Sequence, residues 1–542
     1  MQIISLLALV VVAVSTPIIF SDIMATECGF DDDQTPCNEI VNTDDAFILI
    51  WEASAQNKTI TIPVTDDSVE YGIIWDDSNA ARYTGDASFT YRFPGTKTIT
   101  VEKTFPGINF EKNLSSAIQL QEIKQWGDVK WSTMESAFYG TVNMNITARD
   151  MPDLSNVQNM DRMFTYARSL NADINSWDVS NVTSMEQTFF SAREFDQPLN
   201  SWNVSNVTNM TEMFANATSF NQDLSSWDVS SVNDMNNMFW SAFSFNQPLE
   251  DWNVSSVTNF SDMFNSAISF NQPLQNWNTS SAIDMSGMFS GARAFNQPLY
   301  KWNVTNVTDM SNMFNAATSF NSHIGINPEY DQNTYNPEIG WDTSAVTDMS
   351  GMFANATSFN KTLIFYTVTV NNMSGMFANA TSFNQDIGNW VVANVTDMSH
   401  MFAGATSFNQ QLIDWYTGKV TDMSQMFANA TSFNGNIRPW PTYSVVDMSG
   451  MFYNASSFNA DIGGWSVKSA TDMSRMFEGA SSFDADIHRW DVDQVDDFSY
   501  MFKNATSFSG TSLDMWDVNM DADTTDMFKN SGATIPSWYQ ST

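Results

Sequence analysis

The side chains able to do chemistry are few in type and scattered along the chain. Three histidines occur, His323, His400 and His488, in non-equivalent sequence contexts. None sits in H-E-x-x-H, and no G-x-S-x-G or glycine-rich phosphate loop is present, so zinc hydrolysis, serine acyl transfer and P-loop chemistry lack their residues. Carboxylates are plentiful, and glycoside hydrolysis needs two of them flanking one bond. Here no acidic pair stands out from its copies elsewhere in the chain. The expectation is a non-catalytic protein, with a glycan-active enzyme as a remote alternative. Cys28 and Cys37 have eight residues between them and no histidine nearby. That is not a metal-site spacing; in an oxidising compartment the two pair into one small disulfide loop.

Other candidates are binding or modification sites. Asp309, Asp348, Asp397, Asp422, Asp447 and Asp472 recur at one position of a repeat. Stacked, they would offer oxygens to Ca²⁺, but that ion wants six to eight converging oxygens, and capping of a helix start explains them more simply. No cofactor is expected beyond this minor case for Ca²⁺. In the segment before the repeats, Asp76 and Asp77 read as turn chemistry ahead of ion or partner binding. Asn-x-Ser/Thr sequons number 21. Asn57, Asn113, Asn181, Asn206, Asn216, Asn355, Asn379, Asn429, Asn454 and Asn504 are candidate glycan acceptors, although a repeat rich in Asn, Ser and Thr also generates sequons without function. An insertion within 322–340 brings Tyr330 and Tyr335, the composition of a contact loop.

The elements that must position these residues follow from a period. Phe138, Phe164, Phe189, Phe214, Phe239, Phe264, Phe289, Phe314, Phe353, Phe377, Phe402, Phe427, Phe452, Phe477, Phe502 and Phe528 are anchors, mostly 25 residues apart. The interval from Phe314 to Phe353 is 39 − 25 = 14 residues long of period, and the next interval is 24. In one unit Met210, Met213, Phe214 and Ala217 fall at i, i+3, i+4, i+7, the spacing of one helix face. Leu224-x-x-Trp227-x-Val229-x-x-Val232 reads as a short strand, half buried. Asn221, Asn246, Asn271, Asn296, Asn321, Asn384, Asn409 and Asn434, several followed by Gln, are expected to form a buried ladder between coils. The predicted fold is therefore an α/β repeat solenoid, with one short strand and one short helix per 25-residue coil. Sixteen such coils at about 4.8 Å each would make a rod of roughly 75 Å. Trp and Met columns then belong to a copied core cross-section, with Tyr366 taking the Trp position of the 24-residue coil.

Before the repeats, residues 46–110 alternate apolar and polar residues between turn signals and predict a small β-sandwich. Residues 1–25 read as a signal peptide or N-terminal anchor, since Ile3 to Val14 is apolar apart from Ser5. Residues 26–45 form a short Cys-containing linker, 111–530 the solenoid of about 16 coils, and 531–542 a C-terminal tail. The chain has 22 Lys+Arg against 61 Asp+Glu, a net charge of −39. Such a surface repels nucleic acid and anionic lipid, and a membrane is expected only through the N-terminal segment.

The repeat unit Met-x-x-Met-Phe-x-x-Ala-x-x-Phe-Asn-Gln-x-Leu-x-x-Trp-x-Val-Ser-x-Val-Thr resembles that of the BspA-like leucine-rich-repeat surface proteins. The segment Ile73-Ile74-Trp75-Asp76-Asp77-Ser78 through Tyr91-Arg92-Phe93-Pro94-Gly95-Thr96 is similar to PKD-like modules, with Asp76 and Ser78 where glycines are usual. The resemblance implies a secreted or cell-surface protein that recognises an extracellular protein or glycan. The alternative is a structural glycoprotein of a cell wall or other covering.

Overall fold

The computed structural model describes residues 26–27, 41–76, 79–324, 340–511 and 513–540. Residues 1–25, Cys28, Cys37, Asp77, Tyr330 and Tyr335 lie outside the described residues, and with them the leader, disulfide and contact-loop expectations.

The amino-terminal part is β. Its strands are β1 (Thr26–Glu27), β2 (Phe47–Ala53), β3 (Lys58–Ile62), β4 (Glu70–Trp75), β5 (Asn79–Thr84), β6 (Ala87–Tyr91) and β7 (Gly95–Val101). After a four-residue helix α1 (Leu114–Ala117) come β8 (Leu120–Gln125) and β9 (Asn145–Ile146). Seven strands form one sheet in the order β1-β5-β4-β7-β2-β8-β9, and β3 with β6 forms a second. Alternation buries Phe47, Leu49, Trp51 and Ala53 of β2 on one face. Trp75 stacks on Phe89 at 5.6 Å, joining the two sheets. Asp76 turns the chain between β4 and β5 with φ 52 and pairs with Lys97 at 3.3 Å. The sheet runs past residue 110: β8 pairs with β2 and then, in parallel, with β9 of the first coil. Phe47, Trp126 and Trp177 carry the core across this junction. Gly127 is required there, because a Cβ would stand 2.4 Å from the Ala46 carbonyl oxygen.

The expectation of an α/β solenoid is overturned by the repeats themselves. Between residues 147 and 511 they contain neither a helix nor an extended strand among the described residues. Each coil is a chain of tight turns. Met213 N–H bonds Met210 O, Ala215 bonds Glu212, Ala217 bonds Phe214, and Trp227 bonds Leu224. Glu212 (φ 54) and Asn216 (φ 57) occupy the third position of such turns, as in type II turns. The intervening N–H groups point along the stack: Met210 donates to Asp234 O, Glu212 to Asn236 O, Phe214 to Met238 O and Asn216 to Trp240 O. Alternate donors thus serve the next coil and the others close turns, so every donor is used without the i→i−4 ladder of a helix. An isolated two-turn helix is marginal in water, whereas these turns are locked by their neighbours. The burial read from the spacing stands, since Met210, Met213, Phe214 and Ala217 are fully buried. A stacked turn points i, i+3, i+4 and i+7 inward as well as a helix does.

The Trp segment is likewise not a strand. Parallel pairing is confined to isolated bridges, one per coil, as in Asn209↔Asp234 and Asp397↔Asp422. This is the column read as helix capping; its side chains instead accept from the N–H two residues on, as Asp309 Oδ1 does from Ser311 (2.8 Å). The core is three stacked ring columns. Phe214 lies 5.7 Å from Phe239, Phe220 lies 6.0 Å from Phe245 and Trp227 lies 6.5 Å from Trp252, all nearly parallel. From Trp202 to Trp516 every Trp of the column except Trp390 donates its indole N–H to the Leu or Ile carbonyl of the preceding coil, as Trp227 does to Leu199 O (2.9 Å) and Trp415 to Ile387 O (3.1 Å). The column continues to Trp538, stacked on Trp516 at 6.4 Å. The Asn ladder also exists, with Asn246 N–H donating to Asn221 Oδ1 (2.9 Å) and Asn271 N–H to Asn246 Oδ1. It is partly exposed rather than buried, because it edges the core instead of crossing it.

In the 24-residue coil, Phe365 and not Tyr366 takes the Trp position. Phe365 is buried and stacks between Trp341 (6.4 Å) and Trp390 (5.9 Å), while Tyr366 is 60% exposed. The missing residue comes out of the Leu-x-x-Trp turn, which reads Leu363-Ile364-Phe365. The preceding coil carries its insertion in that same turn, between Ile324 and Trp341. No helix among the described residues is long and apolar enough to cross a membrane.

Candidate recognition surface

The position after each Trp is polar in most coils and does local work. Asp178, Asn203, Asp228, Asn253, Asn278, Asn303 and Asp342 each accept, through Oδ1, the N–H two residues on. The Ser180 and Ser230 hydroxyls and backbone hold Asp178 and Asp228 below the ordinary carboxylate range, so both are charged at neutral pH. In the five coils from Tyr366 onward this column reads Tyr366, Val391, Tyr416, Pro441 and Ser466, before Asp491 restores it. Tyr366, Val391 and Tyr416 are 60%, 48% and 54% exposed, and Val368 and Tyr443, two residues further along their coils, are exposed beside them.

A second substitution holds this strip in place. The position following it, Val in many coils, becomes Thr343, Thr367, Thr417 and Thr442, as it also does at Thr279 of an earlier coil, all buried. Thr343 Oγ1 accepts Tyr366 N–H (2.8 Å) and donates to Tyr366 O (3.0 Å); Thr367 does the same for Val391 at 2.9 and 3.0 Å. The threonine clamp thus holds the backbone at Tyr366 and Val391, whereas Tyr416 follows a coil with Val392 at that position. Tyr416 and Tyr443 meet hydroxyl to hydroxyl at 3.0 Å. Gly418 lies beneath them: a Cβ there would stand 2.5 Å from the Tyr443 hydroxyl and 2.8 Å from the Tyr416 ring. The Tyr443 phenol is raised above its usual value, first by the Tyr416 hydrogen bond, so it stays protonated at neutral pH.

Residues 132–249, 219–327, 327–440 and 432–538 each match the family described as Mycoplasma protein of unknown function, DUF285. The chain belongs to this family. The matches take in nearly the whole run of stacked turns, so the DUF285 repeat is, in this chain, a coil of tight turns and not a strand–helix unit. No curated protein matches the chain.

Two further surfaces of the DUF285 coils carry chemistry. A groove of about 480 Å³ opens where Gly463 and Gly464 leave a gap between Arg438 and His488–Arg489. Within it Arg438 pairs with Asp461 (3.2 Å), and His488 Nδ1 lies 2.6 Å from Asp486 Oδ1. A shallower groove of about 570 Å³ is edged by Phe243, Ile268 and Arg293. Among the described residues, no group of three or more His, Cys, Asp or Glu side chains is placed to hold a metal ion. His323 and His400 stand apart from the His488 groove: the former packs at a Leu corner, where burial and Lys361 lower its pKa, and the latter is exposed with φ 57.

The candidate glycan acceptors of the repeats fall into two structural columns. Asn216, Asn355, Asn379, Asn429, Asn454 and Asn504 all have positive φ, and several bond each other, as Asn379 Nδ2 does to Asn355 Oδ1 (3.0 Å) and Asn454 to Asn429 (3.2 Å). Asn181 and Asn206 donate to the Ser155 and Ser180 carbonyls of the preceding coil. Asn113 caps α1 through Ser116 N–H, and Asn57 is exposed between β2 and β3. The strip escaped sequence reasoning, although its signal was present: five successive coils lose the Asp/Asn that follows the Trp position.

Proposed function

We propose that this DUF285 protein is a non-catalytic recognition protein of the cell surface or extracellular space, and that it holds its partner on the strip Tyr366–Val391–Tyr416–Tyr443. The observation carrying this reading is the exchange, over consecutive coils, of a polar, turn-forming column for exposed aromatic and aliphatic side chains, with the backbone at Tyr366 and Val391 held by Thr343 and Thr367. Exposed apolar side chains gathered in one place, rather than scattered singly, mark interaction sites. The resemblance of the repeat to BspA-like surface proteins and the apolar amino-terminal segment support an extracellular setting. The test restores the column: Tyr366→Asp, Val391→Asn and Tyr416→Asp together. These residues already serve in neighbouring coils, so melting should be unchanged while binding of the labelled chain to intact cells is lost. Undiminished binding would sink the reading.

A structural glycoprotein is the second reading, drawn from the sequon column that places Asn355 and Asn379 side by side. It requires a mass well above 60.8 kDa after passage through a eukaryotic secretory pathway.

A further inference from the structure

We infer that the strip is a binding site for a strand of neutral, β-linked polysaccharide lying along the solenoid axis. The inference rests on the recognition reading above and names its ligand. Size argues first. From Tyr366 to Tyr443 the strip covers four coils, about 20 Å at about 4.8 Å per coil, and is about 10 Å wide. Its roughly 200 Å² falls well short of the about 800 Å² per partner of a stable protein–protein interface. The same length matches a short run of sugars, because the rise of one coil is close to that of one pyranose in an extended β-linked chain.

Chemistry argues second. A pyranose presents an apolar C–H face and a rim of hydroxyls. Tyr366 and Tyr416, two coils apart in one column, offer aromatic faces at every second sugar, with Val391 between them. Tyrosine is suited to such mixed contacts, being apolar in body and polar at its tip. The paired Tyr416 and Tyr443 hydroxyls can donate to and accept from sugar hydroxyls. Lys419, whose Nζ bonds Asn394 Oδ1 at 2.6 Å, adds an amide and an ammonium beside Gly418. Charge argues third. The strip is bordered by Asp342 and Asp414 in a chain of net charge −39, which disfavours a polyanionic glycan. The strip is linear, which favours a polysaccharide strand over a branched glycoprotein glycan.

The experiment is isothermal titration of the full chain with cellulose- and chitin-derived oligosaccharides of two to six sugars and with a branched glycopeptide. One of the linear series should bind, with affinity rising to about four sugars and then levelling, as four coils require. Tyr416→Ala alone should weaken binding roughly tenfold or more, as loss of a central aromatic contact does. The triple variant Tyr366→Asp/Val391→Asn/Tyr416→Asp should abolish binding. Binding of neither linear series, binding of the branched glycopeptide alone, or a linear ligand indifferent to both variants overturns the inference. If the triple variant loses cell binding while no oligosaccharide binds, the glycan assignment falls and the recognition reading stands. If it keeps cell binding, the recognition reading itself falls.

Discussion

Trp390 and Trp415 occupy the same position in successive coils, yet replacing each by Phe should have different consequences. Trp415 donates its indole N–H to Ile387 O at 3.1 Å. Trp390 is 3% exposed and its indole N–H has no partner among the described residues. The cause is the turn one residue short at Leu363-Ile364-Phe365, which removes the Leu carbonyl from the place where every regular coil presents it. Shrinking indole to phenyl in a packed column costs about 1–3 kcal/mol at either site. At Trp415 a buried carbonyl also loses its donor, adding about 1 kcal/mol. At Trp390 an unsatisfied buried N–H disappears, which recovers about 1–3 kcal/mol. Trp390→Phe should therefore be near neutral and Trp415→Phe should cost about 2–4 kcal/mol. Phe365 already shows that the column accepts a phenyl ring, stacked 6.4 Å from Trp341. Urea unfolding of both variants measures the difference, with hydrogen exchange across residues 377–427 reporting locally, since a repeat array need not unfold in one step. Equal destabilisation by the two substitutions would refute the assignment of an unpaired indole to Trp390.

Further outcomes follow from the turns, the charges and the modular stack. Gln425 has φ 52 in a column that elsewhere carries Gly351, Gly375 and Gly450. Gln425→Gly should stabilise by up to about 1 kcal/mol and Gln425→Val should cost about 1–2, read from urea midpoints. Gly418→Ala should push apart the Tyr443 hydroxyl and the Tyr416 ring and break their hydroxyl contact, with little loss of stability, because both obstructing groups belong to exposed side chains; the Tyr443 titration, followed by absorbance, should then fall toward the ordinary phenol value. Asp153 is drawn down to about 2, first by Lys130 and then by Ser155. A depressed folded-state value stabilises above the unfolded value near 4 and is lost as pH falls through about 2. The stability gap between the native chain and Asp153→Asn should thus be constant and small from pH 7 to 4 and close toward pH 2. Deleting residues 240–289 joins Phe239 to Ser290 in register, and small-angle scattering should show a folded solenoid shorter by about 10 Å. Collapse of that variant would contradict the nearest-neighbour character of the stack.

Much of the core was legible. Met210, Met213, Phe214, Ala217, Leu224, Trp227, Val229 and Val232 were read as inward-facing, and all are buried. What failed was the conversion of that spacing into a helix and a strand, because the period of inward residues does not say which hydrogen bonds made it. A discriminating signal was available two residues after each anchor Phe, where Asn216, Asn355, Asn379 and Asn429 alternate with Gly291, Gly404 and Gly479. Asn and Gly are poor interior helix residues and the usual occupants of the left-handed region. The Tyr366 assignment failed for a related reason: aligning on Trp presumes that the turn before it has constant length. Sliding the 24-residue coil by one residue puts Phe365 in the core and Tyr366 outside.

The sequence by itself determined the repeat, the residues that face inward and the inter-coil asparagine ladder, because each follows from a one-dimensional pattern copied at fixed spacing. The tertiary structure decided the rest. Whether an N–H closes a turn or crosses to the next coil depends on what lies one period away in sequence and adjacent in space. The same holds for the strip, since Tyr366, Val391 and Tyr416 become one surface only when their coils stack. Tyr443 joins it because Gly418 leaves room for its hydroxyl.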